Sequence, residues 1–328
     1  MKAFKTSLAI ALIGAVVSLP VIAETTLRIS LQLPLKHHLG QNLLQFKEQV
    51  ETASKGDLKI EIYPSAQLYK DKEVPSAVAS GAIEMGVASL ARFVGVVPAV
   101  DLFYVPFMLP SEELVKKATA PGSTVRQPLD DAILKTGARV LWWQAYGGVA
   151  LLSKGDPIVN PEDMKGKKVR VFGKTLGEFT KSVGGAPVVM SGSEQFLAYQ
   201  RGTVDAGMTG VSAVMPRKLY QVMDNLTVTK HADIEFIVII NDKVWSNLDD
   251  TQRAIISKAS RNVEADLREK MVGIEADALA ESKKNMKVFE LNAQQIAAWK
   301  AATSSVVDGY LESSGALGKQ LVEAVRKL

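Results

Sequence analysis

The chain of 328 residues has no cysteine and only three histidines, His37, His38 and His231. Without thiols there are no disulfides, no thiolate metal sites and no cysteine nucleophile. So few imidazoles leave little for zinc binding or histidine-based catalysis, and no cofactor is expected. An excess of one charge is also missing. Thirty-nine Lys and Arg stand against 35 Asp and Glu, a formal +4 that falls to +2 without Lys2 and Lys5. The basic residues are scattered along helical stretches, with no basic arm and no aromatic-basic stripe, which argues against a nucleic-acid partner. Nor does the sequence hold a Gly-x-Ser-x-Gly elbow, a phosphate-cradling loop before Lys-Ser/Thr, a dinucleotide fingerprint or a His-Glu-x-x-His pair.

What is present is apolar. Hydrophobic residues make up 47% of the chain, enough surface to offset chain entropy and to exclude disorder. At roughly 100–200 residues per domain, the length suits two domains. Residues 1–23 begin with Lys2 and Lys5, turn apolar from Leu8 to Ile22, and end Val21-Ile22-Ala23 before Glu24. A basic start, a short apolar middle and a small-residue end read as a secretory signal peptide. A membrane anchor would need roughly 20 apolar residues, whereas Ser18 and Pro20 interrupt this run and no basic stop follows. The mature protein is therefore expected in a bacterial periplasm, held together by its core alone.

From Thr25 onward strand and helix signals alternate. Leu27, Ile29, Leu31 and Leu33 alternate with polar residues, and Leu39, Leu43, Phe46 and Val50 follow at helical spacing. Leu58–Tyr63 and Ile83–Ala88 read as strands around a helix over Glu73–Ser80, so the strands should pair in parallel. A single helical stretch is expected over Glu112–Lys135, then separate strands at Arg139–Gln144 and Val149–Ser153. The alternation then resumes through Lys168–Phe172, Thr175–Val183, Pro187–Met190, Ser193–Arg201 and Thr203–Met208. Phe236–Ile240 is a fully apolar strand, and residues 249–286 carry one long helical stripe. At about 1.5 Å per residue that helix would exceed roughly 50 Å, long enough to lie across two lobes. Two blocks joined near Gly147-Gly148 give lobe 1 as 24–147 plus about 236–275, and lobe 2 as 148–235 plus about 276–328. The fold class is α/β, each lobe a mainly parallel sheet flanked by helices.

Candidate chemistry is sparse. Glu61, Glu73, Asp101, Glu194 and Asp205 could supply a carboxylate pair, or simply be solvated acids. His38 follows the first strand, where open sheets bind ligands, although a helix-start position is the preferred explanation. Phe107 and Trp143 are aromatic residues near the lobe junction that could wall an organic ligand, or pack the core. Arg170 is the informative residue. It lies mid-strand in Lys168-Val169-Arg170-Val171-Phe172, and a guanidinium that keeps its proton needs an anionic partner. That partner is either a protein carboxylate or the carboxylate of a ligand held bidentately.

Six segments in order resemble one known family. They are Tyr63-Pro64-Ser65-Ala66-Gln67-Leu68, Val78-Ala79-Ser80-Gly81-Ala82-Ile83-Glu84-Met85, Val105-Pro106-Phe107, Pro161-Glu162-Asp163-Met164-Lys165-Gly166-Lys167-Lys168-Val169-Arg170-Val171, Tyr199-Gln200-Arg201-Gly202-Thr203-Val204-Asp205-Ala206 and Asn241-Asp242-Lys243-Val244-Trp245-Ser246-Asn247-Leu248. The chain resembles the substrate-binding proteins of tripartite ATP-independent periplasmic (TRAP) transporters, DctP type. The resemblance implies two α/β lobes joined by hinge strands and a long helix, closing over a carboxylate-bearing ligand for delivery to a small and a large membrane subunit. It places the family's carboxylate-binding arginine on Arg170 and a further ligand position on or near Thr209. Sialic-acid binders of the family carry Asn-Pro where this chain has Thr209-Gly210, and a second arginine where it reads Gly148-Val149-Ala150. Both departures point to a smaller acid, with Arg92 a candidate second cation. A monomer is expected, and no enzymatic activity. The rivals are a binding protein of an ATP-driven importer and a periplasmic hydrolase.

Overall fold

A computed structural model describes residues 24–328, and the expected signal peptide, residues 1–23, lies outside the described residues. In chain order the elements are β1 (Thr25–Ser30), α1 (His38–Ala53), β2 (Leu58–Tyr63), α2 (Val74–Ser80), β3 (Met85–Ser89), α3 (Glu112–Thr119), α4 (Arg126–Leu134) and β4 (Ala138–Ser153). There follow β5 (Lys168–Val171), α5 (Lys174–Ser182), β6 (Ala186–Val189), α6 (Gly192–Gln200), β7 (Ala206–Gly210), β8 (Asn225–Val228) and β9 (Asp233–Asn241). The chain ends with α7 (Asp242–Asn247), α8 (Asp250–Asn285), β10 (Lys287–Glu290), α9 (Ala293–Ala302) and α10 (Val306–Val325).

In lobe 1, β1 pairs in parallel with both β2 and β3, as the helical crossovers require. The helix α1 starts where His37 adopts an extended backbone and its Nδ1 accepts the Leu39 N–H at 3.2 Å. Leu39, Leu43, Phe46 and Val50 then turn one fully buried stripe onto the sheet. Glu112–Lys135 does not form the single helix its pattern predicts. The chain breaks between α3 and α4 at Pro121-Gly122, where Gly122 takes a φ of 76°. Proline ends the helical ladder and the left-handed glycine turns the chain.

The two strands expected at 139–144 and 149–153 are one. The 16 residues of β4 pair antiparallel with β9 over their first part and with β7 and β8 over their second. Register shifts fall between Val140 and Trp142 and between Ala145 and Gly147, where Gly147 sits at φ 104°. An extra residue in a strand bends it and increases its twist, and here the bend carries β4 from one lobe into the other. Lobe 2 repeats the parallel theme, β5 lying between β6 and β7. The strand order is β2-β1-β3-β9-β4-β7-β5-β6, with β8 and β10 attached through β4.

Asp249 and Gln252 form a capping box that starts α8. Its 36 residues make a rod of about 54 Å. Asn42 Nδ2 donates to the Val263 carbonyl at 2.7 Å, and Arg268 pairs with buried Glu235 through bonds of 2.5 and 2.9 Å. Near its far end, Glu275 accepts the Gly148 N–H at 2.8 Å. The helix therefore touches lobe 1, the hinge and, through β10, lobe 2. The final helix, expected with lobe 2, packs chiefly on residues 98–104 of lobe 1, where Tyr310 Oη donates to the Ala99 carbonyl at 3.0 Å. Among the described residues no helix is long and apolar enough to cross a membrane.

Candidate functional site

The two lobes meet around a small, nearly closed cavity of about 20 Å³. From lobe 1 come Gln32, Asp71 and Ser89, and the hinge strands contribute Tyr146, Ile234 and Phe236. Lobe 2 supplies Arg170, Phe172, Gly192, Thr209 and Arg217. Gln32, Ser89, Arg170, Phe172 and Thr209 lie at or just beyond the ends of β1, β3, β5 and β7. Side chains from both lobes therefore converge at the strands' carboxyl ends, the usual ligand position of open α/β sheets.

Arg170 enters this space from β5. Gly207 lies beside it on β7, and a Cβ there would stand 2.9 Å from Arg170 Cβ. The missing side chain thus makes room for the arginine stem. Nη1 donates to the Met208 carbonyl at 2.6 Å and Nη2 to the Met190 carbonyl at 3.1 Å, while Nε is buried without a partner. The guanidinium stands 5.3 Å from the Phe172 ring centroid. It is 3% exposed, and no described carboxylate lies within ion-pairing distance. Burial, with repulsion from Arg217 and Arg92, pushes Arg170 down to about 9, so it keeps its charge at neutral pH.

Thr209 also lines the cavity, its hydroxyl 3.4 Å from Tyr146 Oη. The Tyr146 ring stacks on Phe236 at 5.0 Å, so the hinge presents a flat aromatic wall. The other expected site residues lie elsewhere. Trp143 belongs to the lobe 1 core, where Nε1 donates to Asp130 at 2.8 Å and the ring packs on Phe103 at 5.3 Å. Phe107 has φ 57°, and its N–H donates to the His231 carbonyl at 2.6 Å. Its ring faces Lys300 in a separate surface depression. His38 begins α1 and donates from Nε2 to the Ala145 carbonyl at 3.1 Å, beside a groove between α1 and α8 rather than the cavity. Burial pushes His38 down to about 4, so its ring is neutral.

Arg92 does not line the cavity and is not a free cation. It pairs with fully buried Asp71, whose other oxygen accepts the Ser89 N–H at 3.0 Å. Its Nη2 also donates across the cleft to the Met190 carbonyl at 3.2 Å. Sequence reasoning missed Gln32, Ser89, Tyr146 and Arg217. Gln32 and Ser89 were findable as residues at the carboxyl ends of parallel strands, whereas Arg217 lies in no strand-end or motif position.

Two α/β lobes, joined by shared strands and a long helix around a polar cavity, define a solute-binding protein. The chain belongs to the bacterial extracellular solute-binding protein family 7, DctP, whose family model matches residues 29–313. As the sequence resemblance implies, this is the family of TRAP transporter binding proteins. It is 29% identical over 320 residues to the C4-dicarboxylate-binding periplasmic protein DctP of Rhodobacter capsulatus, covering 93% of this chain and 94% of that one. A TRAP periplasmic solute-binding protein of Sulfurospirillum deleyianum, solved with bound succinate, superposes with a TM-score of 0.86 at 26% identity, covering 93% of this chain and 99% of that one. The sugar acid binding protein DctPAm of Advenella mimigardefordensis, solved with galactonate, shares the fold with a TM-score of 0.88 at 22% identity, covering 93% and 98%.

Proposed function

We propose that this protein captures a small organic acid in the periplasm, after export by its signal peptide, and delivers it as a monomer to the small and large TRAP membrane subunits. The observation that carries the reading is Arg170, a buried guanidinium that faces the cavity with no protein carboxylate to neutralise it. A carboxylate entering an open, wet cleft forms paired hydrogen bonds to it, and closure of lobe 1 (24–147, about 236–275 and the final helix) on lobe 2 (148–235 and about 276–305) expels water. The lower local dielectric then strengthens the pairing. Contacts that bridge the two lobes support this. Lys70 pairs with Glu194 at 2.9 Å, and Arg92 reaches the Met190 carbonyl, each from one lobe to the other. Ligand shifts the population toward that form, which the membrane subunits then read. Thr209 and Tyr146 complete the pocket. The role is capture without chemistry.

A thermal-shift screen over organic acids tests the proposal, since a ligand at 100 times its Kd adds about 2.7 kcal/mol. Calorimetry on Arg170→Lys, which keeps the charge but loses the fork, should show binding weakened by about 1.5–3 kcal/mol. Unchanged affinity removes Arg170 from the site, and conversion of the bound acid on long incubation refutes capture without chemistry.

A further inference from the structure

Asp101 is 1% exposed, in the segment Pro98–Tyr104 of lobe 1, yet its hydrogen bonds go to lobe 2. Its Oδ2 accepts the Thr175 N–H at 3.1 Å and the Thr175 hydroxyl at 2.7 Å, while Oδ1 has no partner among the described residues. Thr175 is the second residue of α5, whose N-cap, Gly173, has no side chain to take up the free N–H groups of the first turn. A carboxylate from the other lobe does so instead, and negative charge is favoured at a helix N-terminus. Burial pushes Asp101 up to about 6, against the Thr175 bonds and the Lys174 charge, so most of it is ionised at neutral pH. The lobes touch here along bare backbone, since a Cβ on Gly173 would stand 3.1 Å from Ala91 Cβ. Three residues beyond Asp101, the Tyr104 ring meets Phe172 edge-on at 5.5 Å. One segment of lobe 1 thus grips the turn 172–175 that follows Arg170.

We propose that Asp101 is a positioning residue for closure: when the lobes shut it supplies the cap that α5 lacks, and so fixes Phe172 and Arg170 around the bound acid. This rests on the reading of the cavity as the ligand site. The test is a double-mutant cycle, Asp101→Asn with Thr175→Val. It is read by calorimetry with the tightest binder among succinate, D-erythronate, galactonate and orotate, and by ligand-free melting. Each single variant should weaken binding by roughly 10-fold or more, the low end for a charged hydrogen bond. The double variant should bind little worse than the weaker single, because both remove one contact. Thr175→Ser, which keeps the hydroxyl, should recover most of the loss seen in Thr175→Val. Ligand-free melting should show no such coupling, since the open form parts the two residues. Unchanged affinity in the singles, additive losses, or equal coupling in melting overturns the proposal. If wild type binds an acid through Arg170 and the cycle shows no coupling, the role of Asp101 falls and the ligand site stands. If none of these acids binds, both fall.

Discussion

Replacing Arg170 with methionine should make the ligand-free protein more stable while abolishing binding. Burial lowers the guanidinium from 12.5 to about 9. At about 1.36 kcal/mol per pKa unit, enclosing that charge costs on the order of 5 kcal/mol. Its two hydrogen bonds to carbonyls offset part of this, about 3 kcal/mol at roughly 1.5 each. Neither acceptor is orphaned by the substitution, because the Met190 carbonyl keeps Arg92 and the Met208 carbonyl keeps Gln195 Nε2 at 3.4 Å. The balance is a gain of about 2 kcal/mol, or about 4–8 °C in Tm at roughly 2–4 °C per kcal/mol. Differential scanning calorimetry with and without ligand is the assay. Saturating acid should raise the wild-type Tm and leave the variant unmoved. A ligand-free variant that melts at or below wild type would refute the view that this charge is held in the fold at a cost to stability, for the sake of binding.

Two further predictions concern the hinge. His38 is lowered to about 4 from its usual 6.5, so the unfolded chain takes up a proton there first, and stability is lost as pH falls from 6.5 toward 4. His38→Gln keeps a donor for the Ala145 carbonyl, and should recover about 2–3 kcal/mol at pH 4.5 relative to pH 7 in urea unfolding; an unchanged pH slope counts against it. Gly147→Ala forces a side chain onto a residue at φ 104°, with a Cβ 2.8 Å from Glu275 Cδ and 3.0 Å from Met271 Cε. It should destabilise by about 2–4 kcal/mol through left-handed strain and overpacking, whereas a loss under about 0.5 kcal/mol, the level of a neutral surface change, would mean the hinge relaxes freely.

Much of the architecture was legible because each element buries one face. The stripe on α1 and the alternation in β1 and β2 follow directly from burial, and Gly81 and Gly184 stop their helices as read. Pairing was not legible where a strand serves two sheets. Nothing local in Arg139–Ser153 separates two short strands from one long bent one, since the glycines at 147 and 148 suit either. The same limit governs the site. Arg170 was readable because a charge in the middle of an apolar strand is anomalous by itself. Trp143 and Phe107 misled because an aromatic residue near a junction is equally at home in a core. Arg217 carried no such anomaly, as an arginine beyond a turn is ordinary until the fold brings it to the cavity.

The long strand β4 has a consequence for how the molecule can vary. Side chains alternate between faces along a strand, so inserting or deleting one residue there would exchange inside for outside on every position beyond it. Both sheets take their register from β4, so one such change would scramble two hydrophobic interiors at once. Length variation should be absent from this segment and gather instead in the connections farthest from it, such as the loop between α3 and α4.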